Sequence, residues 1–220
     1  MTDFINQWGA AIGQGLIETI EMTVISLAFS LVIGVLLAIL LVMTRRGGQA
    51  ENRYVYASLN VLINVIRSIP FIILLFFILP FTQLLVQTTI GVRGVIVPLV
   101  VACAPYIARL IESALLEVDP GVIEAYQSMG ISTPKIIWFV VVREARSSIV
   151  LGLTIATISL IGETAMAGFV GAGGLGDLAY QFGYVRFQPD VMYAVIIILI
   201  VLVQLIQTFG NGVAGRLKKN

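Results

Sequence analysis

Histidine is absent from the 220 residues, and cysteine occurs once, at Cys103 inside an apolar run. Histidine-based acid–base chemistry is thereby excluded, and one thiol per chain allows neither an internal disulfide nor a thiolate metal cluster. Charge is scarce too: Asp, Glu, Lys and Arg make up 11% of the chain and leave a formal net charge of +1. Nothing therefore draws the molecule as a whole toward nucleic acid, and the information lies in where the charges sit. No G-x-x-x-x-G-K-[ST] run occurs, so ATP phosphates cannot be cradled in the usual way and any ATP hydrolysis belongs to a partner. The only lysines, Lys135, Lys218 and Lys219, fall in polar stretches, which leaves an intramembrane serine hydrolase no buried lysine. The N-terminus lacks the basic region and cleavage site of a signal peptide, so the first apolar stretch is expected to be retained.

What is present in quantity is apolar: 59% of the residues are hydrophobic and mean hydropathy is +1.02, which places the chain in a membrane. The expected fold is an all-α integral membrane protein, a single domain over 1–220 with five transmembrane helices. The spans are expected at about 22–43, 59–86, 92–116, 147–170 and 191–209. Pro70 and Pro80 should bend the second span, and Gly210 and Gly212 should close the fifth. Before the first span, Phe4, Ile5, Trp8, Ile12 and Leu16 recur at helical spacing, fitting either a helix lying on the membrane or an overhang of the span.

Five spans place the termini on opposite sides. A cytoplasmic tail carrying Arg216, Lys218 and Lys219 puts Arg45, Arg46, Arg53, Lys135, Arg143 and Arg146 on that side and leaves Arg93 and Arg186 outside, as the positive-inside rule asks. The N-terminus, with Asp3, Glu18 and Glu21, then faces outward.

The stretch 119–145, DPGVIEAYQSMGISTPKIIWFVVVREA, is a polar interruption with strong helix punctuation. Asp119 followed by Pro120 starts a helix, Gly130 stops it, and Ser132, Thr133 and Pro134 start another, which makes a cytoplasmic helix–turn–helix elbow. Glu124 and Lys135 offer charges there to a soluble partner.

Within the spans, Glu163 is costly at about 2.5–3.5 kcal/mol for an acidic residue at mid-depth. It either lines an aqueous path, where it meets the amine of a passing substrate or a partner charge, or is protonated or hydrogen-bonded and holds helices together. Arg67 is open to the same two readings, with an ion pair or carbonyl clamp as the structural one, while Arg109 is expected to snorkel to the cytoplasmic interface. The run Gly171-Ala-Gly-Gly-Leu-Gly176 has the spacing of a dinucleotide loop but follows an apolar helix with no βαβ unit, so it is read as a helix end unwinding at the outer surface. Thr164, Gly168 and Ala172 recur every four residues, a small-residue stripe suited to close helix packing within the chain or across a dimer axis.

Glu124 and Ala125, with Gly130 following and Val140 and Val142 beyond, resemble the EAA loop of binding-protein-dependent ABC permeases, although Arg143 stands where that pattern ends in proline. The run Arg67-Ser-Ile-Pro70-Phe-Ile-Ile-Leu-Leu75 looks like the R-x-x-P signature of amino-acid ABC permeases. Ala165 to Asp177, with Tyr180 to Tyr184 after it, is similar to methionine-uptake permeases. Glu163 and Thr164 are more acidic and polar than that resemblance leads one to expect. The resemblance implies a homodimer in a bacterial inner membrane, two cytoplasmic ATPase subunits on the elbows, and an extracytoplasmic methionine-binding lipoprotein. It implies no cofactor and no enzymatic activity in this chain. It assigns Glu124, Ala125, Gly130 and Lys135 to ATPase docking and makes Met166 either the closed gate at the dimer interface or packing filler. A five-helix monomer encloses little volume, so the path is expected along the two-fold axis, opened by alternating access. Import of another amino acid and an ion-coupled transporter or channel, with Glu163 as coupling site, are the other readings.

Overall fold

A computed structural model describes residues 2–48 and 50–218, without the side chains of Thr2, Asp3, Pro120, Thr133 and Pro134. The expectations placed on the Asp3, Thr133 and Pro134 side chains and on Lys219 therefore lie outside the described residues.

The first helix, α1 (Thr2–Thr44), runs unbroken for 43 residues. At 1.5 Å per residue it is roughly 65 Å long, about twice the hydrocarbon thickness of a bilayer. Of the two readings of the amphipathic start, the structure therefore takes the overhang. Phe4, Trp8, Ile12 and Leu16 pack on a cluster built around buried Leu175, Val191 and Val195, and Trp8 meets Phe182 edge-on with ring centroids 4.8 Å apart. What looked like a lipid-facing stripe instead covers residues 175–199 of the later helices.

The second apolar run differs from the expected single span. It forms α2 (Arg53–Ser68) and α3 (Phe71–Val86), bent by 110° at their junction. The cause is Pro70: a residue preceding proline is pushed out of helical backbone, and Ile69 has φ −85° and ψ 124°. Pro70 then caps α3, whereas Pro80 sits inside that helix without ending it. At 16 residues each, roughly 24 Å, neither half spans a bilayer alone.

Helix α4 (Gly91–Leu116) is the centre of the molecule, with Val95, Leu99, Ile107 and Ala108 fully buried. Gly34 on α1 makes that packing close, since a Cβ there would lie 2.7 Å from Ile107 Cγ2 and 3.0 Å from the Ala104 carbonyl oxygen. The elbow follows as α5 (Pro120–Ser128), α6 (Thr133–Ile136), a wide helical turn over Ile137–Val141, and α7 (Val142–Glu144). Helix α8 (Arg146–Ala167) tightens at Gly168–Val170 and leads to the short α9 (Gly174–Leu178) and a second wide turn over Ala179–Val185.

The last helix, α10 (Pro189–Leu217), passes through Gly210 and Gly212 instead of ending there. Gly210 is a contact glycine, because a Cβ would collide with the Thr154 side chain on α8. Helices α1, α4, α8 and α10 are each long and apolar enough to cross a membrane, and the bent α2–α3 pair brings the number of spans to five when counted as one. No strand occurs among the described residues.

Candidate functional site

The elbow is built by local hydrogen bonds. Asp119 Oδ1 accepts from the Gly121 N–H at 2.7 Å, satisfying one of the free donors at the start of α5. At the far end Gly130 takes φ +75°, donates its N–H to the Gln127 carbonyl at 2.9 Å, and lets Ile131 N–H reach the Tyr126 carbonyl at 3.3 Å. That is the left-handed helix termination for which glycine is preferred.

Behind the corner, Ile136 and Val141 are buried and Ala145 is 4% exposed, so the elbow is anchored to the body by its inner face. Its outer face is open: Glu124, Ala125 and Lys135 are exposed, as are the apolar Met129, Trp138 and Phe139, at 63%, 59% and 67%. Apolar side chains of this size left bare beside charges suit a protein partner.

Three hydrogen bonds that sequence reasoning missed tie the elbow's base to the spans. Ser148 Oγ donates to Glu117 Oε2 at 2.9 Å, joining the end of α4 to the start of α8. Arg146 Nε and Ser147 Oγ donate to the carbonyls of Leu217 and Ala214 near the end of α10, at 3.2 and 3.0 Å. The serines are too common and the separations too long to carry a readable pattern.

The charges within the apolar helices divide into two groups. Arg109 is not snorkelling. Its guanidinium donates to Glu112 Oε2 at 2.6 Å, to Asn60 Oδ1 at 2.7 Å and to Asn64 Oδ1 at 3.2 Å. Glu112 is 3% exposed, so a charge pair with amide support clamps α2 to α4. Asn60 and Asn64, one turn apart on α2, were the signal in the sequence, legible only once α2 faces α4.

Arg67 and Glu163 form the second group. The ion pair considered for Arg67 is not formed: the Arg109–Glu112 bridge is the only one among the described residues. The Arg67 guanidinium lies over the Tyr106 ring, 5.7 Å from its centroid. Glu163 Oε2 is buried without a hydrogen-bond partner. The two residues, 96 positions apart in sequence, line one cavity of about 340 Å³.

The two faces of α8 are used differently. Thr164, Gly168 and Ala172 are buried within the chain. A Cβ on Gly168 would collide with the backbone of Gly176 and Asp177, so this close approach is made inside one chain, between α8 and α9, and not across a dimer axis. The other face carries Met166, 45% exposed, beside an apolar concavity of about 600 Å³ that Gly162, Phe169, Tyr180 and Tyr184 also line.

At the other end, the glycine run folds as a tight turn with φ of +75°, +81° and +80° at Gly171, Gly173 and Gly174. The Gly174 and Leu175 N–H groups donate to Glu18 Oε2 at 2.7 Å and Thr19 Oγ1 at 2.9 Å, and Gly91 N–H donates to the Gly171 carbonyl at 2.9 Å. With the Gly174 N–H on a carboxylate, the Leu175 N–H on a hydroxyl and no phosphate-binding strand–helix unit around them, the run is a packing turn and leaves these donors to no dinucleotide.

Residues 31–219 match the family described as binding-protein-dependent transport system inner membrane components. The chain is 42% identical over 199 residues to a probable D-methionine transport system permease protein of Vibrio cholerae serotype O1, covering 90% of this chain and 88% of that protein. It is also 42% identical over 180 residues to a methionine import system permease protein of Bacillus subtilis, covering 82% and 81%. Among solved structures, an inward-facing methionine ABC transporter matches with a TM-score of 0.94 at 42% identity, over 97% of this chain and 99% of that one. An amino acid ABC transporter crystallised with histidines matches at a TM-score of 0.82 and 19% identity, over 96% of both chains, a likeness of fold.

Proposed function

This chain belongs to the binding-protein-dependent transport system inner membrane components, and from that membership we propose that it is the permease subunit of an ATP-driven importer of methionine or a close derivative. It is a multi-pass inner-membrane protein, with ATP hydrolysis on a separate partner chain. The observation that carries the mechanism is the elbow, an exposed surface of Glu124, Ala125, Met129, Lys135, Trp138 and Phe139 held on a rigid, buried base.

Two copies form the pathway, each docked on one ATPase subunit, and an extracytoplasmic methionine-binding protein delivers the substrate. The orientation follows the positive-inside rule: N-terminus outside, elbow and C-terminal helix end at the cytoplasmic side. Glu124, Ala125 and Lys135 meet the ATPase, and Gly130 sets the angle at which they are presented. When the ATPases close, the elbow moves as a unit. Its bonds at Glu117, Ser148, Arg146 and Ser147 then pass the displacement to α4, α8 and α10 together, the kind of packed shift that turns a small movement into alternating access. Met166, on the apolar face that α8 leaves uncovered, closes the path against its equivalent in the second copy.

Native mass spectrometry of the gently solubilised complex, followed by uptake of radiolabelled methionine into proteoliposomes, tests this reading. The expected result is two copies of this chain with two ATP-binding subunits, and uptake that needs both ATP and the binding protein. An oligomer of this chain alone, or uptake driven by an ion gradient without ATP, would contradict it.

A further inference from the structure

We propose that the cavity between the α2–α3 break and α8 binds the head group of a zwitterionic α-amino acid, its carboxylate on Arg67 and its ammonium on Glu163. The inference rests on the reading of the chain as an amino-acid importer and adds a substrate site within the permease itself.

A charged side chain in the membrane interior is unfavourable by about 2.5–3.5 kcal/mol, so such groups are ordinarily paired. The chain does this with Arg109 and Glu112, at 2.6 Å. Arg67, which is exposed, and Glu163 line one cavity of about 340 Å³, yet no ion pair joins them, and it is Glu163 Oε2 that is buried without a partner. Arg67 rests on the face of Tyr106, a contact that leaves the edge of the guanidinium and its N–H groups open.

Two opposite charges held apart in one cavity are complementary to a ligand carrying both. The planar fork of Arg67 matches a carboxylate in a bidentate way, and a carboxylate such as Glu163 accepts readily from an ammonium. An α-amino acid carries both groups on one carbon and brings no net charge into the low-dielectric interior. Ser159 adds a hydroxyl to the polar side of the cavity, while Phe71 and Leu74 supply an apolar wall for a side chain. The volume lies near the lower end of small-molecule pockets, roughly 300–1,000 Å³, which suits a free amino acid better than a peptide. The break at Pro70 is what makes the site possible, since it ends α2 just beyond Arg67 and turns α3 away.

The test uses the permease–ATPase complex in lipid nanodiscs, without binding protein, and equilibrium dialysis of radiolabelled L-methionine against two competitors. These are methionine methyl ester, which lacks the carboxylate, and 4-(methylthio)butanoate, which lacks the ammonium. Saturable methionine binding is expected, with each competitor weaker than unlabelled methionine by about tenfold or more. In Glu163→Gln, methionine affinity should fall about tenfold or more while the affinity for 4-(methylthio)butanoate is unchanged; Arg67→Gln should give the mirror result with the ester. The competitor series on the unaltered chain stands even if a variant fails to assemble. Competitors as strong as methionine would overturn the site. So would an absence of binding in a complex that imports methionine when ATP and binding protein are supplied, and in that case the importer reading survives. Binding with the expected head-group requirements in a complex that imports no methionine would keep the site and remove the importer reading.

Discussion

Two glycine corners flank α8, one before its start and one after its end, and they are built differently. The turn at Gly171–Gly174 is closed from within: Glu18 and Thr19 on α1 accept from the Gly174 and Leu175 N–H groups, and Leu175 is fully buried. The elbow corner at Gly130 is held only by bonds to its own preceding turn, and its outer face is left bare. A Cβ on Gly176 would collide with the backbone of Ala165, whereas one on Gly130 would meet nothing within 4 Å. Glycine is needed for close packing between α8 and α9 and for backbone direction at the elbow. The Gly171–Gly174 turn is complete in one chain, whereas the bare elbow is the surface proposed here to receive another protein.

That contrast can be broken at its strong end first. Gly176→Val places side-chain atoms on the α8 backbone, and about 3 kcal/mol or more of destabilisation is expected, from overpacking where only backbone can give. Size-exclusion profiles of the solubilised protein should show loss of the monodisperse species; an unchanged profile would mean that α9 is not seated as described. A smaller effect is expected from Glu18→Ala, which leaves the Gly174 N–H without its acceptor. About 1.5–3 kcal/mol should be lost in a thermal-stability assay, with partial recovery in Glu18→Gln, which keeps an acceptor oxygen.

Much of this architecture was legible because it is written in local chemistry. The Asp119–Pro120 start and the Gly130 stop of α5 are short-range signals, and the structure places both as expected. The apolar lengths of α1, α4, α8 and α10 likewise announce helices that can cross a membrane. What could not be read depends on facing residues. Pro70 and Pro80 look alike in sequence, yet one separates α2 from α3 by 110° and the other lies within α3. Gly210 looks like a stop until Thr154 is seen against it. Gly168 belongs to a small-residue stripe of the kind that joins chains, and its partner turned out to be Gly176 of the same chain. The shared cavity of Arg67 and Glu163 is the furthest from view, since it needs the helix break and a separation of 96 residues to be resolved together.

The role proposed for the elbow as coupling surface is tested most directly by Gly130→Pro. Proline fixes φ near −65° and has no N–H, so it can neither adopt the +75° of Gly130 nor donate to the Gln127 carbonyl. Because nothing packs against that position, the variant should still fold and form its dimer. Measured together in proteoliposomes, ATP hydrolysis and methionine uptake should come apart: uptake lost, with hydrolysis either idling or absent through failed docking. Unchanged uptake per ATP hydrolysed would contradict the elbow as the element that turns ATPase movement into transport.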